Sequence, residues 1–328
     1  DDIFWCTADP GWVTGTSYGI ISPLTNGATM IVDQAEFDAE RWYRILQEQK
    51  VTVWYTAPTA IRMLMKVGTE ITKRFDLSRV RLMASVGEPL NPEAVAWSAA
   101  AFGKPFHDNW WQTETGGIMI SNYPSMDVKP GSMGRPLPGV TAGIVEHVEG
   151  GGVREITKPM AMGELALRPG WPSMMRAYLN EEERYRKCFV GGWYLTGDMG
   201  YMVDGEVYVV GRYKDLIINA GKNVYPQDIE AIANTVPGVH AGRVVAFGVA
   251  DEREGTELIA VVAEVATADT NERQQIGLAI RQTVARQSTV TLNYVHLVDD
   301  RWLIKTSSGK IARAANREKW LSERGGGT

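Results

Sequence analysis

The chain has few cysteines and no long apolar segment. Its 328 residues include two cysteines, Cys6 and Cys188, too few for a disulfide framework or a cysteine metal cluster, which favours a reducing compartment. No uninterrupted apolar run approaches the roughly 18 residues needed to cross a membrane. The net charge of −5 argues against a general nucleic-acid-binding protein. We therefore expect a soluble, cytoplasmic globular protein without a membrane or nucleic-acid partner.

Signatures of several enzyme classes are also missing. The four histidines show no metal-ligand spacing, and no G-x-S-x-G segment supports a serine hydrolase. Residues 305–310, with the sequence KTSSGK, resemble a Walker phosphate loop. A Walker loop needs glycine at position 304 and Ser or Thr at position 311, where this chain has Ile304 and Ile311. The P-loop interpretation therefore fails, and Lys310 has to be interpreted with the rest of the chain.

The apolar pattern divides the chain into three parts. Over residues 1–123, short apolar runs alternate with helical patterns, which is typical of parallel βαβ units. Residues 124–211 are rich in Gly, Pro and short strand patterns, which predicts a small antiparallel barrel or sheet. Residues 212–328 follow a mixed pattern that predicts a compact α+β unit. The expected fold class is thus α/β, with a β-rich part and a small α+β domain after it.

Residues 107–117, with the sequence HDNWWQTETGG, concentrate chemical groups directly after a predicted strand. Indole rings can wall a small apolar pocket, threonine can donate to phosphate, and a carboxylate can hold a divalent cation that bridges phosphates. A tryptophan pair that merely fills the core is the alternative, since adjacent side chains on a strand point to opposite faces.

The segment WWQTETG at residues 110–116 resembles the signature of AMP-forming acetyl-CoA synthetases, which belong to the adenylate-forming superfamily. Further motifs of that family occur in the expected order over residues 1–211. They are WVTG at 12–15, VGEP at 86–89, GWPSMM at 170–175 and WYLTGD at 193–198. The resemblance implies the C-terminal part of a large α/β and β-barrel adenylation domain, followed by a small mobile domain.

The resemblance also implies roles for individual residues in the first two parts of the chain. Trp111 would limit the acyl pocket to short chains, and Glu114 would hold Mg²⁺. Asp198 would bind both ribose hydroxyls, because a carboxylate can accept two hydrogen bonds at once. The other acyl-pocket residues would be Val13, Thr14 and Val86. Nucleotide contacts would come from Gly87, Glu88, Pro89, Thr113 and the backbone of Asp108, Asn109, Trp110 and Gln112.

In the third part, the segment GRYKD at residues 211–215 resembles the hinge of the family. Arg212 would reach the ribose and phosphate, and Lys214 would be the pivot of the C-terminal domain. Lys310 would contact the acyl carboxylate and the α-phosphate during adenylation, as an electrostatic catalyst. After rotation, a face around Gly221 would meet the incoming thiol.

Two departures from the family pattern affect the prediction. The Ser/Thr/Gly-rich loop that grips the β- and γ-phosphates is absent, and we expect it upstream of Asp1, so that the chain alone would turn over little or nothing. Asn223 stands where acetyl-CoA synthetases place a phosphate-binding arginine. Around it, the sequence more closely resembles fatty acyl-AMP ligases, which load carrier proteins.

The predicted function is therefore an AMP-forming acid:thiol ligase for acetate or propionate, with ATP, Mg²⁺ and coenzyme A as substrates and cofactors. The first alternative is an acyl-AMP ligase that loads the phosphopantetheine of an acyl carrier protein. The second is a non-catalytic nucleotide-binding fragment. Acetylation of Lys310 would make a lysine acetyltransferase and a deacetylase further partners.

Overall fold

The computed structural model describes residues 2–220, 222–251, 256–306 and 310–325. Within it, the chain forms two compact units, Asp1–Val209 and Val210–Thr328. The mixed α/β fold class is confirmed. Among the helices in the described residues, none has the length and apolar character required to cross a bilayer.

The first sheet of the first unit has seven strands in the order β2-β1-β3-β4-β5-β6-β7. Strands β1 to β5 pair in parallel, and β6 and β7 add antiparallel pairs at one edge. Strands are β1 (Ile3–Cys6), β2 (Thr29–Ile31), β3 (Val53–Thr56), β4 (Leu82–Ser85), β5 (His107–Trp110), β6 (Ile120–Ser121) and β7 (Arg135–Pro136). Helices are α1 (Val13–Thr16), α2 (Ser22–Thr25), α3 (Ala39–Glu48), α4 (Pro58–Val67) and α5 (Pro92–Phe102). The predicted βαβ alternation is thus present.

Local sequence explains where the longer helices begin. Asp38 caps α3 by accepting a hydrogen bond from the Arg41 amide at 2.7 Å. α4 and α5 each begin with a proline, whose fixed φ suits the first helical position and whose missing amide hydrogen costs nothing there. Trp5, Trp42 and Trp54 join strands and helices in the buried core, with Trp5 and Trp42 ring centroids 5.2 Å apart.

The second sheet of this unit has six antiparallel strands in the order β11-β12-β10-β8-β9, with β13 paired to β12. Its strands are β8 (Ala142–Val148), β9 (Gly152–Glu155), β10 (Gly163–Leu167), β11 (Phe189–Val190), β12 (Trp193–Val203) and β13 (Glu206–Arg212), with helix α6 (Glu182–Lys187) before β11. β10 is buried along its whole length. The sheet therefore provides a rigid support for the long strand β12.

The second unit has a two-stranded hairpin and a three-stranded sheet. In the three-stranded sheet, β16 and β17 are antiparallel and β17 and β18 are parallel. The strands are β14 (Ile217–Asn219), β15 (Lys222–Val224), β16 (Val239–Asp251), β17 (Thr256–Val265) and β18 (Tyr294–Val298), and the helices are α7 (Pro226–Ala233), α8 (Thr270–Gln287) and α9 (Arg313–Gly325). Alternating residues of the sheet face two separate clusters, one packed by α7 and α8 and one by Trp320 of α9.

Candidate nucleotide and acyl site

The segment after β5 forms a tight turn at the edge of the parallel sheet. Residues Thr113–Thr115 form one turn of 3₁₀ helix, and Thr115 Oγ1 accepts from the Gln112 amide at 3.0 Å. The turn ends at Gly116, whose φ of +68° favours glycine. A Cβ atom at Gly116 would also lie 2.2 Å from the Ser173 carbonyl oxygen. Only glycine therefore fits where this turn packs on the segment around Ser173.

Asp198 on β12 is buried and is held by two side chains from the end of β5. Its Oδ2 accepts hydrogen bonds from Trp110 Nε1 and Gln112 Nε2, both at 2.9 Å. Gln112 Nε2 also donates to the Thr196 carbonyl at 2.9 Å, and Gln112 Oε1 accepts from the Tyr194 hydroxyl at 2.9 Å. The structure thus brings together three residues that the sequence assigned to one nucleotide site.

Asp108 and Asn109 turn their side chains inward, so any contact with a nucleotide would use their backbone. Asp108 is fully buried and accepts from Ser85 Oγ at 2.5 Å and from the Leu90 amide at 2.9 Å. Burial raises the pKa of Asp108 to about 7 against these hydrogen bonds. Asn109 bonds the Ser85 carbonyl and the Tyr55 hydroxyl, at 2.9 and 3.0 Å. Asp108 therefore joins β5 to β4 and the segment after it, and Asn109 joins β5 to β4 and β3.

Trp111 lies in an aromatic row that sequence reasoning did not find. Its ring meets that of Tyr18 edge-on at 5.1 Å, and Tyr18 meets Tyr55 edge-on at 5.5 Å. The Tyr18 hydroxyl accepts from the Ile118 amide at 2.8 Å. The buried indole NH of Trp111 makes no hydrogen bond of ordinary geometry. Burial raises the pKa of Tyr55, and the nearby Trp111 indole lowers it by a smaller amount.

The other predicted acyl-pocket residues lie on elements of the same unit. Val13 and Thr14 begin α1, one turn before Tyr18, and Thr14 is 1% exposed. Val86 follows β4, is 3% exposed, and donates its amide to the Thr56 carbonyl at 3.1 Å. Thr14 and Val86 are thus buried in the unit, whereas Val13 is half-buried.

Glu114 is held by a second residue that the sequence did not reveal. The Tyr178 hydroxyl donates to Glu114 Oε1 at 2.9 Å. Burial, and then the Glu114 carboxylate, raise the pKa of Tyr178, so the hydroxyl remains protonated as a donor. The Glu114 carbonyl accepts from the Met175 amide at 2.9 Å. These bonds fix the Thr113–Glu114 turn, with Thr113 exposed and Glu114 half-buried.

The donor set at Glu114 fits a magnesium ion that is shared with phosphates. Among the described residues, no group of three or more His, Cys, Asp or Glu side chains could hold a metal ion. Mg²⁺ usually takes one or two protein carboxylates, substrate phosphates and water rather than an all-protein cage. A single half-buried carboxylate next to an exposed threonine agrees with that mode.

The segment Gly87–Pro89 is joined to α4 by the side chain of Glu88. Gly87 has a φ of +107°, which favours glycine. Glu88, one of the predicted nucleotide contacts, accepts at Oε1 from Arg62 Nη2 at 2.5 Å and from Thr59 Oγ1 at 2.8 Å. The Glu88 carboxylate therefore links this loop to α4, and Pro89 is exposed beside it.

In the second unit, Arg212, Lys214 and Lys310 are exposed. The Lys310 carbonyl accepts from the Thr306 amide at 2.7 Å. The predicted thiol-side residue Gly221 and residues 307–309 lie outside the described residues. Asn223 is exposed on β15 and is paired with Ile218 across the hairpin.

Comparison with known proteins places these features in a family context. A family profile described as AMP-binding enzyme matches residues 1–179. The acetyl-coenzyme A synthetase of Bacillus subtilis is 43% identical over 317 residues, which are 95% of this chain and 54% of that protein. The acetyl-coenzyme A synthetase of Streptomyces avermitilis is 38% identical over 328 residues, which are 97% and 49%. The chain thus spans about half the length of these curated relatives, and the similarity continues beyond residue 211.

Solved structures show the same fold. The structure of McyG A-PCP complexed with phenylalanyl-adenylate has a TM-score of 0.83 at 20% identity, over 98% of this chain and 52% of that chain. ATP-bound MatB from Rhodopseudomonas palustris has a TM-score of 0.80 at 24% identity, over 98% and 60%. The predicted resemblance to adenylate-forming enzymes, and to acetyl-CoA synthetases among them, is confirmed by these comparisons.

Proposed function

Because the chain belongs to the AMP-binding enzyme family, we propose that the whole protein is an AMP-forming short-chain acyl-CoA synthetase. It converts acetate or propionate, ATP and coenzyme A into acyl-CoA, AMP and pyrophosphate. The observation that carries the proposal is the buried Asp198 carboxylate, held by Trp110 and Gln112 next to the Thr113–Glu114 turn. This arrangement provides a ribose acceptor and phosphate ligands at the end of one strand.

In the first step, a carboxylate oxygen of the acid attacks the α-phosphorus of ATP. An acyl–oxygen–phosphorus bond forms, and the bond to the pyrophosphate oxygen breaks. Thr113 donates to the α-phosphate. Glu114 would hold Mg²⁺, which would neutralise phosphate charge when it is bound. Lys310 adds positive charge where negative charge develops, which is the main way in which proteins assist phosphoryl-type transfer.

Asp198 orients the nucleotide through its ribose. A carboxylate has about four lone-pair sites, and in this proposal Asp198 accepts from the ribose hydroxyls in addition to its bonds with Trp110 and Gln112. Its orientation is set by Trp110 and Gln112 rather than by the ligand. Little side-chain freedom is then lost when ATP binds. Backbone atoms of the Gly87–Pro89 segment and of residues 108–112 border the adenine, and Arg212 reaches the ribose and phosphate.

In the second step, the thiol sulfur attacks the acyl carbon, a thioester bond forms, AMP leaves with the electron pair of the broken acyl–oxygen bond, and the thiol proton is released to water. Rotation about Lys214 withdraws Lys310 and presents the segment around Gly221 to the thiol. The acceptor is coenzyme A, as the names of the relatives suggest. Carrier-protein loading is the alternative.

Acid length is restricted by Trp111. Its ring is held by Tyr18, and Tyr18 is fixed by the hydrogen bond from the Ile118 amide. A wall that is packed in this way cannot easily turn aside for a longer acyl chain. Val13, Thr14 and Val86 complete the pocket in this proposal.

The test is ATP–pyrophosphate exchange by the full-length protein with acetate, propionate, butyrate and octanoate. We expect exchange with the first two acids and a steep fall with the others. Free coenzyme A should then release acyl-CoA from the preloaded enzyme. Absence of exchange with all four acids would refute the proposed function, whereas exchange without acyl-CoA formation would favour carrier-protein loading.

A further inference from the structure

Arg313, the first residue of α9, connects four separate elements of the second unit. Its Nη1 pairs with Asp215 Oδ2 at 2.5 Å, and its Nη2 lies 2.8 and 3.0 Å from the two carboxylate oxygens of Glu230. Its Nε donates to the Ala246 carbonyl at 2.9 Å. All three guanidinium nitrogens are therefore engaged, and the side chain is 17% exposed.

The partners of Arg313 lie at informative places in the chain. Asp215 directly follows Lys214, and Arg313 comes three residues after Lys310. Glu230 is on α7, and its Oε1 also accepts from the Ala246 amide at 2.8 Å. The Arg313 side chain thus connects Asp215, which follows the proposed pivot, to the start of α9, which follows the segment that carries Lys310.

The segment that carries Lys310 is closed at its base. Lys305 and Ile311 form an antiparallel bridge, and the Ala312 amide donates to the Ile304 carbonyl at 3.0 Å. Asn316, which is 0% exposed, accepts from the Ile304 amide at 2.8 Å and donates to the Ile304 carbonyl at 2.9 Å. Ile304 and Ala312, on either side of Lys310, are therefore bonded to each other, and Ile304 is also bonded to the first turn of α9, which Arg313 anchors.

Stability alone does not account for these buried charges. Moving them out of water costs free energy, and well-packed apolar side chains can often replace a buried ion pair without loss. The planar guanidinium group of Arg313 fixes both the direction and the distance of its bonds to two carboxylates, which apolar packing cannot do. In this unit it fixes the start of α9 relative to Asp215 and Glu230.

We propose that Arg313 is a positioning residue for adenylation, which holds Lys310 in register with the pivot Lys214. The inference rests on the proposed function, in which Lys310 assists only the first step. Arg313 touches no substrate in this account. It acts through the loop base, so that rotation about Lys214 moves Lys310 as part of a rigid body.

The test uses Arg313→Met in the full-length protein, with Arg273→Met as the matched control. Arg273 is in the same unit, on α8, where it pairs with Asp299 and donates to the Thr267 carbonyl at 2.7 Å. We expect Arg313→Met to lower kcat of ATP–pyrophosphate exchange about 100-fold, as expected for a misplaced catalytic group, with KM for ATP unchanged. Thioester formation from supplied acyl-adenylate should match the control.

A double variant separates positioning from a general structural role. In a Lys310→Ala background, Arg313→Met should cause no further loss of exchange, because two residues that act as a unit are not additive. Equal loss of both half-reactions, or an additive loss in the double variant, would overturn the proposal. So would exchange by Arg313→Met at the level of Arg273→Met.

Thermal unfolding of each variant guards against a folding defect. If Arg313→Met is unfolded at the assay temperature, Arg313→Lys and Asp215→Asn carry the same test. Lysine at position 313 cannot bridge both carboxylates at once, and asparagine at position 215 removes one of them. We therefore expect each variant to lose exchange selectively, by about 10-fold. Unchanged exchange would refute the inference. Failure of the wild type to exchange with any acid would instead count against the proposed function.

Discussion

The two regions proposed to act on ATP are assembled in opposite ways. Around Asp198, the bonds join residues that are far apart in the chain, and Trp110 lies 88 positions from its acceptor. Around Lys310, the bonds are local, and Asn316 clamps a residue 12 positions away. The first region exists only when two sheets have folded, whereas the segment that carries Lys310 is bonded directly to the start of α9, and Arg313 connects that start to distant residues.

This difference sets the expected dynamics of each region. A region held by long-range buried bonds opens only with a large part of the unit. A segment that is bonded at its base to one helix can change position together with that helix. A ribose acceptor benefits from the first property, and a lysine that must enter and leave a reaction site benefits from the second.

We expect the largest effect when the charge of Lys310 is removed without disturbing the structure around it. Lys310→Ala should lower ATP–pyrophosphate exchange about 1000-fold, the upper range for removing one electrostatic donor. Because Lys310 is exposed, the melting temperature should remain that of the wild type. Thioester formation from supplied acyl-adenylate should persist, and equal loss of both steps would refute the assignment.

The next effect concerns the buried framework under the Asp198 region. The pKa of Asp108 is raised to about 7 by burial, so the folded state binds its proton more tightly than the unfolded state. Its stabilising contribution is complete below pH 4 and is lost as the pH rises to 7, by at most about 4 kcal/mol at 1.4 kcal/mol per pH unit.

Urea unfolding of the wild type and Asp108→Asn between pH 4 and 8 measures this contribution. We expect the stability advantage of the wild type to shrink with rising pH. The exposed Asp127→Asn serves as the control for the loss of one carboxylate. A difference between the wild type and Asp108→Asn that does not change with pH would contradict the assignment.

Trp111→Gly should shift the acid preference of the full-length enzyme. Each methylene accommodated in an apolar pocket is worth roughly 10-fold in kcat/KM. The ratio of kcat/KM for butyrate to that for acetate should therefore rise about 100-fold. Trp111→Phe, which keeps a ring against Tyr18, should change it much less. An unchanged chain-length preference in the glycine variant would remove Trp111 from the pocket wall.

The smallest expected effect concerns the long-range hydrogen bond between Trp110 and Asp198. Trp110→Phe removes one of the two donors to Asp198 Oδ2 and should raise KM for ATP about 10-fold, the value of one buried hydrogen bond to a charged group. Trp97→Phe is the matched control, because the Trp97 indole NH is buried without a hydrogen-bond partner. Equal KM values in the two variants would exclude a role for Trp110 in orienting Asp198.

Sequence alone predicted the parts of the structure that depend on local pattern. The βαβ alternation follows from apolar runs and helix-start signals, such as Pro58 and Pro92. The family motifs identified Trp110, Gln112 and Asp198, which the fold joins.

The supporting partners could not be predicted. Tyr18 lies 93 positions before Trp111 and Tyr178 lies 64 positions after Glu114, and no local pattern connects either pair. The same holds for Arg313 and Asp215, which are 98 positions apart. For Glu88, the family motif identified the residue as part of the predicted site, but nothing in the sequence predicted its ion pair with Arg62. Such choices of partner are decided by tertiary packing.

The close approach of Gly116 to the Ser173 carbonyl has a consequence for enzyme engineering. A library that varies position 111 to admit bulkier acids can leave the surrounding backbone intact. A library that also varies Gly116 would include substitutions whose Cβ atom clashes with the Ser173 carbonyl, and we expect most of its members to misfold. Diversity is better introduced upstream, where Val13 begins a short helix and is half-buried.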